Sequence, residues 1–418
     1  MNVYDSDVLK SILTKNNHSI ADGLENADLI VVNTCSVRHR AEVRALGRIR
    51  DLKQYKLSNP NLKIAVVGCM AQRMGEDLLK ELPFVDLVLG TERLFELDTY
   101  LEKLEGNRIV DTRVDGKLPD GTIPKSDSDY SAFVAISRGC NNFCSYCIVP
   151  YVRGQEKHRP AKQIIDEVRQ LAQKGYKEVT LLGQNVNSYK DGIYDFADLL
   201  QMINDNTEIN WIRFMTSHPK DLSSKLIDKI SNLSKVCEHL HLPLQSGSDI
   251  ILQRMNRNYT SSDYLNLVQQ IRGKVGDLCL TTDIIVGFPG ETPSDFQKTL
   301  SVLEKIRFDA AFTFRYSPRE GTKAESFEDD VPEKEKIRRL EILIVLQKEI
   351  SQKQNQNFVG RELEVLIDGY SKKDKTRLKG KTRTDKTVVL DKKEDFLGSF
   401  RQVKIISANP WTLFGQLQ

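Results

Sequence analysis

The chain has 418 residues, of which 39% are hydrophobic and 28% are charged, and its formal net charge is +3. This length exceeds that of one ordinary domain, and the composition is that of a globular protein with enough apolar residues for real cores. No apolar stretch approaches the ~20 residues of a membrane span, and the opening residues, MNVYDSDVLK, resemble neither a signal peptide nor a transit peptide. Seven cysteines in such a chain are expected to be thiols or metal ligands rather than a disulfide framework, and we expect a cytoplasmic protein.

The first 105 residues alternate helix-like segments with short apolar strands. These strands are DLIVVNT (28–34), KIAVVG (63–68) and VDLVLG (85–90). Such alternation is typical of a parallel sheet with helices on both faces, which predicts an α/β domain over 1–105. The next segment, 106–129, is rich in Gly, Asp, Lys and Pro, and it predicts a linker.

A second alternating series occupies residues 130–357. Its six predicted strands are FVAISRG (133–139), EVTLLG (178–183), WIRFMTS (211–217), HLHLPL (239–244), LTTDIIVGF (280–288) and AAFTFRYS (310–317). Six β–α units without a reversal predict a partial (β/α)6 barrel, with its chemistry at the carboxyl ends of the strands. A charged helix is predicted over 332–356, with a buried stripe formed by Ile337, Leu340, Leu343, Ile344 and Ile350.

Residues 358–418 contain short, evenly spaced strands separated by turns, which predicts a small antiparallel β-barrel. A basic run with a single acid, Asp374, lies within it. Taken alone, the run fits a solvated loop with its flanking strands, whereas an RNA-binding chain would use it as a phosphate-binding face. Its members are Lys372, Lys373, Lys375, Arg377, Lys379, Lys381 and Arg383.

Three cysteines, Cys140, Cys144 and Cys147, directly follow the first strand of the six-unit domain. Three thiolates can ligate three irons of a [4Fe–4S] cubane, whose fourth iron then stays open for an exchangeable ligand. One alternative is a structural zinc site completed by His158, although this histidine lies eleven residues beyond Cys147, outside the usual spacing. A second alternative is that the three are simply buried thiols.

The motif C-x3-C-x2-C at the end of the first strand of a six-unit β/α domain resembles the radical S-adenosylmethionine (radical SAM) superfamily. Further segments are similar to the methylthiotransferases, and among these to the MiaB-type branch that modifies dimethylallyladenosine in tRNA. They are GCNNFCSYCIVPYVRGQE, LLGQNVNSY (181–189), RFMTSHP (213–219), HLPLQSGSDIILQRMNRNYT (241–260) and TDIIVGFPGET (282–292). The resemblance covers essentially the whole chain, and the C-terminal barrel resembles a TRAM domain.

This resemblance implies a reaction and its participants. A low-potential cluster at Cys140, Cys144 and Cys147 would cleave S-adenosylmethionine (SAM) to a 5′-deoxyadenosyl radical, which removes hydrogen from C2 of a dimethylallyl-bearing adenosine at tRNA position 37, next to the anticodon. A second SAM would methylate sulfur at an N-terminal cluster. No side chain needs to act as an acid or base. The implied partners are tRNA and an electron donor of the flavodoxin or ferredoxin type, with no membrane and a monomeric enzyme.

The resemblance also points to residues that contact SAM. Gly183 and Gln184 end the second strand, Gln245 follows the fourth, and Gly287 ends the fifth. For each position, a strand-to-helix turn would use the same residue types without any ligand. His239 and His241 could line the same cavity, but satisfied core histidines are at least as well supported, and Cys237 and Cys279 are expected to be plain buried thiols.

The family's N-terminal cluster has three cysteine ligands, of which Cys35 and Cys69 are evident, each directly after a parallel strand. The third belongs to a segment resembling GCQMNVYDS, preceded by a strand, whereas this chain opens on MNVYDSD. We expect the opening methionine to be internal to a longer protein; the alternative is a lost ligand. If this chain and a chain extended upstream have the same iron content and form the same amount of product, the third cysteine is not needed.

Two other functions stay open at this point. One is a methylthiotransferase with another acceptor, either threonylcarbamoyl-adenosine in tRNA or a ribosomal protein. The other is a non-catalytic iron–sulfur protein that binds tRNA, which follows if the missing cysteine is genuine.

Overall fold

The structure is a computed structural model that describes residues 1–104, 106–115, 128–391 and 396–417. The chain forms two compact units. The first contains Met1–Asp127, Ser137–Arg159 and Arg319–Glu325, and the second contains Ser128–Ile136, Pro160–Pro318 and Ser326–Gln418. These units divide the chain differently from the predicted domains, because the cysteine-bearing segment joins the N-terminal unit. The predicted domain boundaries therefore stay a prediction.

The helices and strands follow one another in three groups along the chain. The N-terminal elements are α1 (Asn2–Lys15), β1 (Leu29–Thr34), α2 (His39–Asp51), α3 (Lys53–Ser58), β2 (Lys63–Gly68), α4 (Cys69–Met74), α5 (Glu76–Glu81), β3 (Leu87–Leu89), α6 (Leu97–Glu102) and β4 (Ile109–Asp111). The central elements are β5 (Ser131–Ala135), β6 (Ser137–Arg138), α7 (Val149–Arg153), β7 (Lys157–His158), α8 (Ala161–Gln173), β8 (Glu178–Leu182), β9 (Lys190–Asp191), β10 (Tyr194–Asp195), α9 (Phe196–Asn206), β11 (Trp211–Phe214), α10 (Ser224–Asn232), β12 (His239–His241), α11 (Asp249–Arg254), α12 (Ser261–Lys274), β13 (Cys279–Val286), α13 (Pro293–Ile306), β14 (Ala310–Arg315) and α14 (Glu333–Gln356). The C-terminal elements are β15 (Glu362–Tyr370), β16 (Arg377–Thr382), β17 (Thr387–Asp391), β18 (Phe400–Ala408) and β19 (Leu413–Leu417).

The first unit contains a parallel sheet in the order β1-β2-β3-β4. Strand β2 is inaccessible from Ile64 to Val67, and its side chains alternate between two apolar clusters on opposite faces of the sheet. The predicted parallel α/β sheet is thus confirmed. One correction concerns 106–129, predicted to be linker: Ile109–Asp111 is a fourth strand, too short to show a period in the sequence. Residues 116–127 of that segment lie outside the described residues.

The second unit carries the six predicted parallel strands. Strands β5, β8 and β11 form one hydrogen-bonded set, and β12, β13 and β14 form another. Val236, just before β12, forms a parallel bridge with Ile212 of β11, so neighbouring strands follow chain order. This arrangement confirms the predicted parallel β/α core, with every strand ending at the same edge.

Five strands form a closed C-terminal barrel in the order β15-β16-β17-β19-β18. The predicted small barrel is confirmed, but it is not wholly antiparallel, because β17 and β19 pair parallel. The barrel packs against the amino-terminal ends of the central strands: Trp211, the first residue of β11, meets the ring of Phe400 at 4.9 Å, and Lys386 pairs with Asp309 just before β14 at 2.7 Å. The barrel therefore lies at the end of the strands opposite to their carboxyl edge.

Helix α14 forms where it was predicted, but its predicted buried stripe is partly wrong. Leu343 and Ile350 are buried, whereas 38% of Ile337 and 47% of Ile344 are exposed. The buried face instead includes polar side chains with specific partners, among them Arg339, which donates to the Glu291 carboxylate at 2.6 Å. Apolar periodicity does not reveal a face that is buried through ion pairs. In the described part of the chain, no helix is long and apolar enough to cross a membrane.

Candidate cluster and cofactor sites

The three-cysteine loop belongs to the first unit and starts directly after β6. The residue before it, Gly139, has φ +78°, and a Cβ there would lie 2.1 Å from the carbonyl oxygen of Gln155. Only glycine allows this close approach of two backbone segments. Cys140 then donates its N–H to the Gly154 oxygen at 3.2 Å, and Cys147 donates to the Cys144 oxygen at 2.9 Å. The loop is thus fixed at both ends through its backbone.

The thiols of this loop lie in a sheltered environment. Cys140 and Cys144 are each 8% exposed, and Cys147 is half-buried. Burial raises the pKa of the Cys140 thiol, and the neighbouring Cys144 adds to this increase. A bound cation or cluster would stabilise the thiolate forms of cysteines in such surroundings.

The donor set distinguishes between kinds of metal group. In the described residues, no group of three or more His, Cys, Asp and Glu side chains is placed to hold a metal ion. A mononuclear zinc site requires such convergence, with Zn–S bonds of ~2.3 Å, so the alternative that uses His158 has no support in the structure. A cubane instead distributes its cysteine ligands over three different irons, so its ligands do not converge on one point. The thiol-only set therefore fits an iron–sulfur cluster.

The other candidate cysteines, Cys35 and Cys69, come together at the carboxyl edge of the first unit's sheet. Strands β1 and β2 are parallel neighbours with Thr34 opposite Gly68, so the residues that follow emerge side by side, on strands ~4.8 Å apart. Cys69 is 1% exposed and Cys35 is half-buried. Burial raises the pKa of the Cys69 thiol, and the nearby guanidinium of Arg153 opposes this increase. The structure thus supports the predicted pairing of the two strand ends.

The four predicted SAM-contact residues all lie in the second unit, beyond the carboxyl ends of its strands. Gln245 and Gly287 have φ of 72° and 68°, so both turn sharply at this edge. A Cβ at Gly287 would lie 2.4 Å from Cγ of Lys336. Gly183 and Gln184 follow β8, and the side-chain oxygen of Gln184 is buried without a hydrogen-bond partner. A buried acceptor without a partner at a strand end suits a donor on a ligand.

Sequence reasoning assigned SAM contact to Gly183 and Gln184 but gave no role to 185–187 or 215–218, and these neighbouring segments hold each other in place. The Thr216 hydroxyl donates to the Gly183 oxygen at 2.6 Å, although Thr216 is β-branched and has φ 70°. Asn187 and His218 exchange two hydrogen bonds, of 2.9 and 2.8 Å. The buried oxygens of two further residues also have no partner: Asn185 Oδ1 and Ser217 Oγ. This rim therefore combines a backbone in a rarely populated conformation with buried acceptors that have no protein partner. The quoted motifs contained these residues, but no spacing rule identified them.

His239, His241, Cys237 and Cys279 are core residues. His241 Nδ1 lies 3.0 Å from the Thr281 hydroxyl, and burial lowers the pKa of His239 to about 4. Cys237 and Cys279 are buried, and burial raises the pKa of Cys237 to about 12. The expectation of plain buried thiols is confirmed.

The basic run of the barrel divides into two groups. Lys372, Lys373 and Lys375 are exposed in the β15–β16 turn. The other members are held by acidic partners: Arg377 by Asp391, Lys379 by Asp368, Lys381 by Asp385 and Arg383 by Glu238. The run is therefore neither a simple solvated loop nor a uniform phosphate-binding face.

Replacing Gly139 by alanine will reduce the iron bound at the three-cysteine loop. The new Cβ must displace the Gln155 backbone, and Cys140 moves with it. Gly175 is the matched control, because it also has positive φ, at +93°, but a Cβ added there would have no atom within 4 Å. Gly175→Ala should cost about 1–2 kcal/mol of stability and leave iron unchanged. The measurement is iron per chain after anaerobic reconstitution, and equal iron in the two variants would contradict this role for Gly139.

Comparison with known proteins agrees with these features. A parallel-stranded core with three cysteines after its first strand defines the radical SAM class, and residues 134–303 match the Radical SAM superfamily. Residues 1–90 match the uncharacterized protein family UPF0004, and residues 356–418 match the TRAM domain.

Relatives over the full length identify the family. A "tRNA-2-methylthio-N(6)-dimethylallyladenosine synthase" of Thermoanaerobacter pseudethanolicus is 49% identical, with 100% of this chain and 90% of the relative covered. Identically named proteins of Caldicellulosiruptor saccharolyticus and Clostridium novyi are 47% and 46% identical, again over 100% of this chain and over 90% and 94% of the relatives. The chain belongs to the family of tRNA-2-methylthio-N(6)-dimethylallyladenosine synthases.

Solved structures are similar in fold. The radical S-adenosylmethionine methyltransferase TsrM from Kitasatospora setae, with cobalamin and a [4Fe-4S] cluster bound, has a TM-score of 0.58 at 15% identity, covering 77% of this chain and 74% of that one. The cobalamin-dependent radical enzyme OxsB has a TM-score of 0.54 at 15% identity, covering 81% and 54%. At this identity the likeness concerns the fold alone.

Proposed function

We propose that this chain converts N6-(dimethylallyl)adenosine in tRNA, at position 37 next to the anticodon, to its 2-methylthio derivative. The observation that carries the proposal is identity of 45–49% over the whole chain to relatives named for that product. The three-cysteine loop and the TRAM match supply the parts such a reaction needs, a cluster site and an RNA-binding domain. The enzyme is a radical SAM transferase.

The first cofactor site uses Cys140, Cys144 and Cys147 as its ligands. A [4Fe–4S] cluster bound there would supply the low-potential electron for reductive cleavage of SAM. The residues of this chain do the rest by orientation: Gly139 and the Gly154 oxygen fix the loop, and the buried positions of Cys140 and Cys144 shield the cluster from water.

SAM binds at the carboxyl edge of the second unit's strands. Gln184 would accept from the ligand through its unpaired oxygen, Gly183 and Gly287 would allow close backbone approach, and Gln245 lies at a sharp turn of the same edge. Cys35 and Cys69 would supply thiolates to a second [4Fe–4S] cluster, which would provide the site where a second SAM donates its methyl group to sulfur. The donor of electrons is a small flavodoxin- or ferredoxin-type protein, and the enzyme works as a cytoplasmic monomer. Its domains divide at 1–105, 130–357 and 358–418.

The barrel contributes affinity for tRNA at a distance from the reacting base. It packs at the amino ends of the central strands, and β13, with eight residues from Cys279 to Val286, places the two ends about 23 Å apart. Phosphates contacted by the barrel therefore belong to the stem or to nucleotides well away from the modified adenosine, and they position the tRNA without reading its sequence. The adenosine itself must leave its loop stack to reach the carboxyl edge.

Removing the exposed turn lysines together, in Lys372→Ala, Lys373→Ala and Lys375→Ala, will weaken tRNA binding and its salt dependence. Each lost phosphate contact lowers the slope of log K against log salt by about 0.7–0.9, so the triple variant should lose about 2–3. Lys379→Ala combined with Lys381→Ala is the control, because acidic partners already hold both side chains. The measurement is tRNA affinity across a salt series, and an unchanged slope in the triple variant would exclude the turn as a phosphate site.

The decisive test of the function is nucleoside analysis by mass spectrometry. The chain is reconstituted anaerobically and incubated with reductant, SAM and tRNA that carries dimethylallyladenosine. We expect 2-methylthio-N6-(dimethylallyl)adenosine together with 5′-deoxyadenosine. Product only on threonylcarbamoyl-adenosine tRNA or on a ribosomal protein would redirect the assignment, and tRNA binding without 5′-deoxyadenosine would indicate a non-catalytic iron–sulfur protein.

A further inference from the structure

A buried charge network in the first unit lies between the two cysteine sites. The Asp5 carboxylate, on α1, is 0% exposed and accepts from two guanidinium groups, those of Arg138 on β6 and Arg153 at the end of α7. The Arg153 bond is 2.9 Å long, and both arginines are 7% exposed. One carboxylate balances only one of these charges. A further counter-charge near these two guanidinium groups would therefore be favourable in this buried region.

The two arginines differ in how their remaining charge is accommodated. The guanidinium of Arg138 lies 4.5 Å from the centre of the Phe95 ring and 5.9 Å from that of Tyr4, so aromatic faces stabilise it. Arg153 has a different neighbour, the thiol of Cys69, with which its guanidinium interacts. Nη1 of Arg153 is buried and has no hydrogen-bond partner. The unpaired donor of this network therefore belongs to Arg153, on the side of Cys69.

Packing holds Arg153 firmly enough at this position to act on a bound group. Cys69 forms a small apolar cluster with Ile148 and Val152. Ile148 directly precedes helix α7, which ends at Arg153, and Val152 lies within that helix. The Thr91 hydroxyl donates to the Val152 oxygen at 2.7 Å and fixes that helix end. Because this helix directly follows Cys147, the same segment supplies the last ligand of one cysteine site and a charged neighbour of the other.

We propose that Arg153 is a positioning residue for the iron–sulfur group held by Cys69. Nη2 is anchored on Asp5, and Nη1–H is left to bind sulfur of the group, whose negative charge balances the guanidinium. Hydrogen bonds and positive charge near cluster sulfur raise its reduction potential and help to retain it. This inference rests on the second cluster of the proposed function.

The experiment isolates the Cys69 site. In the full chain, Cys140, Cys144 and Cys147 are replaced by alanine, so that iron bound after anaerobic reconstitution reports the N-terminal site. Into this background we introduce Arg153→Gln, Arg153→Lys and, as the matched control, Arg138→Gln, which also loses a partner of Asp5. Reduction potential is measured by redox titration monitored by electron paramagnetic resonance, and cluster retention by the rate of iron loss to a chelator.

We expect Arg153→Gln to lower the reduction potential and to accelerate iron loss about 10- to 100-fold, the usual cost of losing a group that supports a metal site. Arg153→Lys keeps the charge and should recover most of the potential, which also tests the proposal if the glutamine variant fails to fold. Arg138→Gln should leave the potential unchanged.

Three outcomes would overturn the proposal. They are an unchanged potential in Arg153→Gln, an equal shift in Arg138→Gln, and absence of iron from the parent background, because a chain that retains only Cys35 and Cys69 of the predicted ligands would then hold no group for Arg153 to position. The proposed function is tested separately, by 5′-deoxyadenosine formation in the chain with Cys140, Cys144 and Cys147 intact, so failure of one is distinguishable from failure of the other.

Discussion

Replacing Cys140 by alanine will abolish both 5′-deoxyadenosine formation and methylthiolation. With one of three thiolates missing, the cubane loses one of its three anchors on the loop. Cys144→Ala and Cys147→Ala should behave alike, because the three ligands act as one unit. The measurements are iron per chain, the visible absorbance of the cluster and single-turnover product analysis under anaerobic conditions.

The control for this loss is Cys279→Ala. Cys279 is also a buried thiol, at the start of β13, but it lies at the amino-terminal end of its strand, away from the carboxyl edge. Its replacement should cost about 1 kcal/mol of stability and leave both products in place. Retention of normal turnover in any of the three loop variants, with Cys279→Ala equally active, would remove the basis for a radical mechanism in this chain.

Local sequence was enough to predict the longer apolar strands and the strand-end positions of Cys35 and Cys69, but not the three-residue strand β4. Strand β2 is an unbroken apolar run between polar segments, and such runs are typical of strands buried on both faces. Since parallel strands end at one edge, Cys35 and Cys69 could be placed together from their strand-end positions, and the register of Thr34 with Gly68 agrees. Each of these inferences needs only a few neighbouring residues.

What escaped prediction depends on partners distant in sequence. The contact of Asp5 with Arg153 joins residues 148 positions apart, and neither side chain carries a local signature of a site. Lys379 belongs to a basic run that fitted either a solvated loop or a phosphate-binding face, but Asp368 on the adjacent strand neutralises it. Ile344 was expected to be buried, but polar side chains form much of the buried face of helix α14 instead. In all three cases the pairing of charges in the folded chain determines the outcome for the side chain. Such pairing leaves no periodic pattern in the sequence.

The second large effect concerns the seam between the barrel and the central strands. Arg213, 5% exposed on β11, donates to the Glu178 carboxylate at 2.6 Å and to the carbonyl oxygens of Arg383 and Thr382 at 2.6 and 2.7 Å. Arg213→Ala leaves a buried carboxylate without its counter-charge and frees two barrel carbonyls. Breaking one side of a buried pair costs about 3–5 kcal/mol, so the free energy of unfolding in a denaturant titration should fall by that amount.

The double variant separates the charge from the packing. Arg213→Met combined with Glu178→Gln has no buried charge at this position, so it should be more stable than Arg213→Ala, and the two substitutions should be strongly non-additive. Asp277→Asn breaks an exposed ion pair with Arg361, in which the Asp277 side chain is 60% exposed and the Arg361 side chain 41%. This substitution should lower the free energy of unfolding by less than about 1 kcal/mol. If Arg213→Ala were no more damaging than Asp277→Asn, the seam would not depend on this ion pair. The barrel would then be held by apolar contacts such as that of Trp211 with Phe400.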